Sequence, residues 1–196
     1  MTTVKHLFGK ALTVTMLVAL ATAVDAATVG TGPTVEFSKA DFADQTLAEN
    51  QDRITPLVWL TRGVNQGLFN IAQEDAYQQF QGISPAGTLW AFEGLNGNTA
   101  SGEDFNAENF GALIFDEWAS ALGGGGGLRF NIVNTPGVVH LVDDDIYLDI
   151  VFTEWTPQSG GGFAYERSSV IPIPAAAWLM ASALGLLGFV KRRLAN

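Results

Sequence analysis

Between its two ends the chain alternates apolar and polar residues with a period of two, in short runs broken by glycine, asparagine, aspartate and proline. The longest run is Ile146, Leu148, Ile150 and Phe152 interleaved with Tyr147, Asp149, Val151 and Thr153, which predicts a strand with one apolar and one mixed face. Shorter runs predict strands at 34–37, 57–62, 67–72, 88–92, 112–115, 129–133, 138–142 and 163–167. Strands this short and this evenly punctuated point to an all-β domain built as an antiparallel β-sandwich, jelly-roll-like, rather than an α/β fold. Residues 70–81 are rich in Ala, Gln and Glu and also satisfy a short helix, so both readings stand there. The glycine runs at 123–127 and 160–162 read as loops. Neither is followed by the Lys-Ser/Thr of a phosphate-binding loop.

The alternation disappears at both ends, where continuous apolar runs replace it. Lys5, His6 and Lys10 precede an apolar stretch over 11–24, and Val24-Asp25-Ala26 offers a small-residue cleavage site between Ala26 and Ala27. Residues 1–26 thus read as a signal peptide, the other reading being an uncleaved membrane helix. At the far end, residues 175–190 carry no charge and Lys191, Arg192 and Arg193 follow as a basic stop. Counted from Val170, the uncharged stretch approaches the roughly 20 residues a membrane helix needs. The basic stop places the C-terminus on the cytoplasmic side and the domain outside. Pro172 and Pro174 hold the preceding segment extended and accessible to a processing enzyme. The expected domains are the signal over 1–26, an acidic ectodomain over 27–169 and a tail over 170–196. On hydropathy alone the tail is equally a plain membrane anchor.

The order of motif, apolar helix and basic stop resembles the C-terminal signal of the PEP-CTERM family of exported bacterial proteins. Ile171, Pro172, Ile173, Pro174 and Ala175 are similar to the family's Val-Pro-Leu-Pro-Ala type variant, with Ile at 173 in place of Leu and no Pro-Glu-Pro. The resemblance implies a precursor tethered in the inner membrane and cut near the prolines by a membrane protease of the exosortase type. The protein would then pass to the cell envelope, the cell surface or the extracellular matrix, where extracellular polysaccharide is an expected neighbour. Blocks in the middle, among them Asp144 to Asp149 leading to Phe163 to Arg167, also resemble secreted proteins with such tails. Those relatives carry no assigned activity, so the resemblance implies a sorted, non-enzymatic surface protein.

Charge narrows the partners. Between Ala27 and Val170 lie nineteen acidic residues and five basic ones, a net charge of about −14. A phosphate backbone is repelled by such a surface, so no nucleic-acid partner is expected. Cysteine is absent, and stability must come from burial in a single domain of ordinary size.

The candidate chemistry is sparse. Asp143, Asp144, Asp145 and Asp149 read as a solvated turn opening a strand, or else as a calcium site with Asp143, Asp145 and Asp149 as its ligands. No other cofactor is expected. His140 is the one histidine of the ectodomain, and its apolar neighbours Val138, Val139 and Leu141 suit a structural role. Glu93, Asp116, Glu117 and Glu154 supply carboxylates for a hydrolase but nothing in their spacing sets two across a cleft. Trp155, at the end of the strongest strand, and Tyr165 are the candidates for stacking on sugar rings. The leading expectation is a non-enzymatic interaction protein, the alternative a calcium-assisted carbohydrate-binding module, and the third a secreted hydrolase.

Overall fold

A computed structural model describes residues 26–78, 83, 85–124 and 126–171. The apolar segment at 175–190, the basic stop Lys191, Arg192 and Arg193, the motif residues Pro172, Ile173, Pro174 and Ala175, and residues 1–25 lie outside the described residues. Among the described residues no helix is long and apolar enough to cross a membrane.

The fold is all-β with largely antiparallel sheets and few helical turns. Nine strands are described: β1 Thr28–Val29, β2 Gly32–Lys39, β3 Asp52–Arg53, β4 Trp59–Arg62, β5 Leu68–Asn70, β6 Thr88–Phe92, β7 Pro136–Leu141, β8 Ile146–Trp155 and β9 Phe163–Ser169. Two one-turn helices, α1 Trp118–Ala121 and α2 Leu128–Asn131, lie between β6 and β7. The large sheet has the order β2-β9-β8-β7-β6, and the small one β3-β4-β5. The chain therefore leaves the large sheet at one edge, builds the small sheet, and returns at the opposite edge.

Strand β8 is the axis of the large sheet, as its alternation predicts. Leu148, Ile150 and Phe152 are buried in one core with Leu60 and Leu68 of the small sheet and Val58 just before β4. Trp90 and Trp118 meet there at 4.7 Å in an edge-to-face pair, both without exposure. Full burial of an aromatic of this size is worth about 2–3 kcal/mol, which makes this pair the centre of the core. The opposite face of β6, β7 and β8 carries a second cluster, in which Ala91, Val138 and Tyr147 pack under Phe105, Ala107 and Leu113. Residues 100–115 thus roof half of the sheet's outer face.

Two expected strands take other forms. Residues 129–133 include the helical turn α2, where Asn131 N bonds Gly127 O and its side chain bonds Leu122 O at 2.9 Å. The flanking glycines let the chain coil tightly enough to drive Ile132 into the core. Residues 112–115 run irregularly, because Ile114 N donates to the Asn98 side chain at 2.7 Å rather than to a neighbouring strand. Within 70–78 neither a long strand nor a helix forms; β5 ends at Asn70 and turns follow.

The N-terminal strand fills a gap in the sheet. Strand β9 pairs with β8 only from Ile150 to Trp155, and β7 occupies the other side of β8. β1 takes the place β9 has left, running parallel to the first residues of β8. The far edge of β6 is closed by Asp116, which exchanges both backbone bonds with Trp90 at 2.8 and 2.9 Å.

Candidate functional site

The part of the large sheet left without a roof is the outer face of β2, β9 and the second half of β8. In β9 every second residue faces the core, Phe163, Tyr165 and Arg167, which turns Ala164, Glu166 and Ser168 outward. In β2 the same alternation turns out Thr34, Glu36 and Ser38. Two shallow depressions flank Glu166. One, of about 230 Å³, is lined by Thr34, Asp149, Val151 and Ser168 among others. The other, of about 260 Å³, is lined by Glu36, Ser38, Thr153 and Ala164. The floor is small and hydroxyl-rich, and the walls are carboxylates.

Its electrostatics are one-sided. Glu36 and Glu166 are direct cross-strand partners, a like-charge pairing that costs rather than contributes stability. Asp149, at the boundary with the roofed half, accepts from Ala107 N at 2.7 Å. Burial pushes its carboxyl above the usual Asp value, the Ala107 bond opposes this, and the charge of Glu108 adds to it. Arg167 borders the first depression, but its guanidinium is held in the core by Asp52.

The aromatic candidates are committed elsewhere. A register shift between Phe152 and Glu154 inserts one extra residue in β8. That bulge reverses the parity of the strand, exposes Thr153 and Glu154, and turns Trp155 toward Trp118 and Phe152. The free face of the Trp155 ring is taken by the Arg62 guanidinium, 3.8 Å from its centroid. Tyr165 is buried and donates its hydroxyl to Asp52 at 2.6 Å, so its ring is core and not a platform.

The glycine loop beside Trp155 is firmly held. Arg62 donates to Gly162 O at 2.8 Å, buried Lys39 to Gly161 O at 3.3 Å, and Gly162 N donates to Asp41 at 2.9 Å. Burial pushes Arg62 down to about 10 against the pull of Asp41. Burial and then the Arg62 charge lower Lys39, with Asp41 and Asp44 opposing. Gly161 has φ 75°, and a Cβ on it would stand 2.6 Å from Gly63 O, so only glycine fits. Beside this loop Phe42 is 70 % exposed at φ 60° and donates its N–H to Gly160 O.

The aspartate run divides between a turn and a strand. Asp143, Asp144 and Asp145 form the turn from β7 to β8, while Asp149 lies within β8 and faces Ala107. Among the described residues no group of three or more His, Asp or Glu is placed to hold a metal ion. Asp145 is paired with His140 at 3.1 Å, and His140 stacks flat on Tyr147 at 4.1 Å. Tyr147 stacks in turn on Phe110 at 4.0 Å, so His140 ends a column of three rings rather than facing a nucleophile. Glu93 bonds Gly102 N, Asp116 borders β6, Glu117 precedes α1 and Glu154 sits in the bulge; none lines either depression.

Sequence reasoning did not single out Lys39, Asp52, Arg62 or Asn70, the buried polar residues that set this architecture. Their signal was the presence of charge or amide within otherwise apolar strand patterns. The chain matches no protein-family model, and no curated protein or solved structure matches it.

Proposed function

We propose that the described residues are the ectodomain of an exported envelope or matrix protein, sorted by its C-terminal tail and acting by interaction rather than catalysis. The domain is a lopsided sandwich, jelly-roll-like in the way the chain crosses from one edge of the large sheet into the small sheet and back to the other edge.

One observation carries the reading: both ends of the domain leave in the same direction. β9 runs toward the end of the sheet at which β1 enters, because β1 is parallel to β8 and β9 antiparallel to it. Ile171 lies against Gly32, where a Cβ would come within 3.2 Å of its Cγ1. Ala26 is six residues further back, so the two exits are no more than about 30 Å apart even with that segment fully extended. This suits a precursor whose signal and tail both engage one membrane, with the glycine loop and Phe42 at the distal end. The open acidic face of β2, β9 and β8 then stands lateral to the membrane, free for a partner that accepts carboxylates and hydroxyls.

The test is the intact mass of the protein from its native host, with cell fractionation. A species that begins at Ala27, ends near Pro172 and leaves the membrane fraction is the expected outcome. Retention of residues 175–196 in the membrane would make it a plain anchored protein and end the sorting reading.

A further inference from the structure

We infer that cutting the signal between Ala26 and Ala27 locks the N-terminal strand in place, because the new α-ammonium of Ala27 pairs with the carboxylate of Asp144. The inference rests on the processing reading at its N-terminal end.

The pairing of β1 brings the chain end to the turn before β8. Thr28 stands opposite Ile146 and Val29 opposite Tyr147, in parallel. Just ahead of Ile146 the chain is the turn of Val142 to Asp145, with Asp145 at φ 47°, so the end of β1 meets the turn that carries Asp144. Thr28 N donates to Asp145 O at 2.8 Å. Successive backbone nitrogens are about 3–3.7 Å apart, so Ala27 N lies within about 6.5 Å of that carbonyl oxygen. Ala27 itself packs on the cluster of Ala91, Val138 and Tyr147, which holds the chain end against the turn.

The acceptor is defined independently. Among the described residues Asp144 Oδ2 is buried and has no hydrogen-bond partner. A buried carboxylate oxygen without a donor is costly, and charged groups in that position are normally paired. The neighbouring Asp145 is already engaged by His140 at 3.1 Å. Asp143 on the same turn is also acidic, and among the described residues no Lys or Arg forms an ion pair here. In the uncut chain the nitrogen of Ala27 is a neutral amide with one proton. Hydrolysis of the Ala26–Ala27 bond adds water across it, leaving a carboxylate on the departing signal and an ammonium with three donors on Ala27. That group rotates freely about its Cα bond and reaches a carboxylate that the amide does not satisfy.

The experiment uses the chain from Ala27 to Asn196 in detergent, with a free or an acetylated N-terminus, each as wild type and as Asp144→Asn. The α-amino pKa is read from its NMR titration, and unfolding from urea curves. The expected result is an α-amino pKa raised by a unit or more above the ordinary range of about 7.7–8.0, a tenfold effect, which Asp144→Asn reverses and Asp143→Asn leaves largely in place. Acetylation and Asp144→Asn should be non-additive in the unfolding constant by a similar factor. Because the amine is raised, the added stability is present below its ordinary value and is lost as the pH climbs through the raised one. An ordinary α-amino pKa in the folded Ala27 chain overturns the pairing, even if Asp144→Asn fails to fold. N-terminal sequencing of the exported protein is expected to start at Ala27; another start overturns the processing step separately.

Discussion

Arg167 holds Asp52 across the core with a two-pronged grip, Nε to Oδ2 at 2.6 Å and Nη2 to Oδ1 at 2.9 Å, both side chains being buried. Tyr165 donates to the same Oδ2 at 2.6 Å. This triad joins β9 of the large sheet to β3 of the small one, and β3 is only two residues long. Burial alone would lower Arg167, but its bonds to Asp52 outweigh this and hold it above the ordinary value. Burial, then the charge and bond of Asp52, raise Tyr165 well above the ordinary tyrosine value.

Removal of either partner leaves the other charge buried and unpaired. Arg167→Ala or Asp52→Ala should therefore cost about 3–5 kcal/mol in urea unfolding. The double change Asp52→Leu with Arg167→Met should cost much less than the sum, since it leaves no orphan charge. Additive losses would mean that the pair does not act as a unit. Because Tyr165 is raised, its contribution is complete below the ordinary tyrosine value of about 10 and is lost as the pH rises further, a loss that Tyr165→Phe should abolish.

Asn70 closes the small sheet by bonding four backbone groups at once. Its Oδ1 accepts from Trp59 N at 2.9 Å and Ala72 N at 3.1 Å, and its Nδ2 donates to Leu57 O at 2.8 Å and Ala86 O at 2.9 Å. The residue has no exposure, so water cannot replace these bonds. Asn70→Ala should destabilise by at least about 2 kcal/mol, and Asn70→Asp by a comparable amount, because two donors become charged acceptors. Hydrogen exchange should show the protection lost first at the Trp59 and Ala72 amides. Uniform loss across the large sheet would count against a local clamp.

What the sequence disclosed follows from how local each cause is. β8 and β9 are legible because their alternation is strong, and β6 because it is a short apolar run bounded by turn residues. β1 and β3 were not, since each is two residues long and exists only through pairing with distant strands. The helical turn α2 was missed because Arg129-Phe130-Asn131-Ile132-Val133 has strand-forming residues, yet its glycine flanks decide the outcome. Trp155 shows the same limit at the site: its inward orientation depends on a bulge that leaves no local sequence mark. The Asp143 to Asp145 turn is legible as a turn, whereas the burial of one Asp144 oxygen is set by the tertiary packing around that turn.

Asp149 should make the protein's stability depend on acid in the less common direction. Its carboxyl is raised chiefly by burial, so the folded protein binds this proton more readily than the unfolded chain does. The contribution of this residue is then greatest below the ordinary Asp value and falls as the pH rises through the raised one. Asp149→Asn keeps an acceptor for Ala107 N and removes the buried charge. It should raise the urea midpoint at neutral pH, with the gain shrinking as the pH falls into the acidic range. An advantage that persists undiminished at low pH would show that the charge of Asp149 is not the cause.

The facing carboxylates Glu36 and Glu166 give the open face its most direct test. They stand opposite one another on adjacent strands and both are exposed, so their repulsion is felt through solvent and answers to salt. Glu166→Lys should convert a cost into an attraction and stabilise the fold by about 0.5 kcal/mol at low ionic strength, with most of the gain gone at 1 M salt. A Glu36→Lys, Glu166→Lys pair should lose that gain by restoring like charges. A gain in Glu166→Lys that ignores salt would trace to packing rather than charge. If the acidic face is kept for a partner, the stabilised single variant should bind that partner more weakly than wild type does. Equal binding by the two would move the interaction away from this face, toward the distal loops around Gly161 and Phe42.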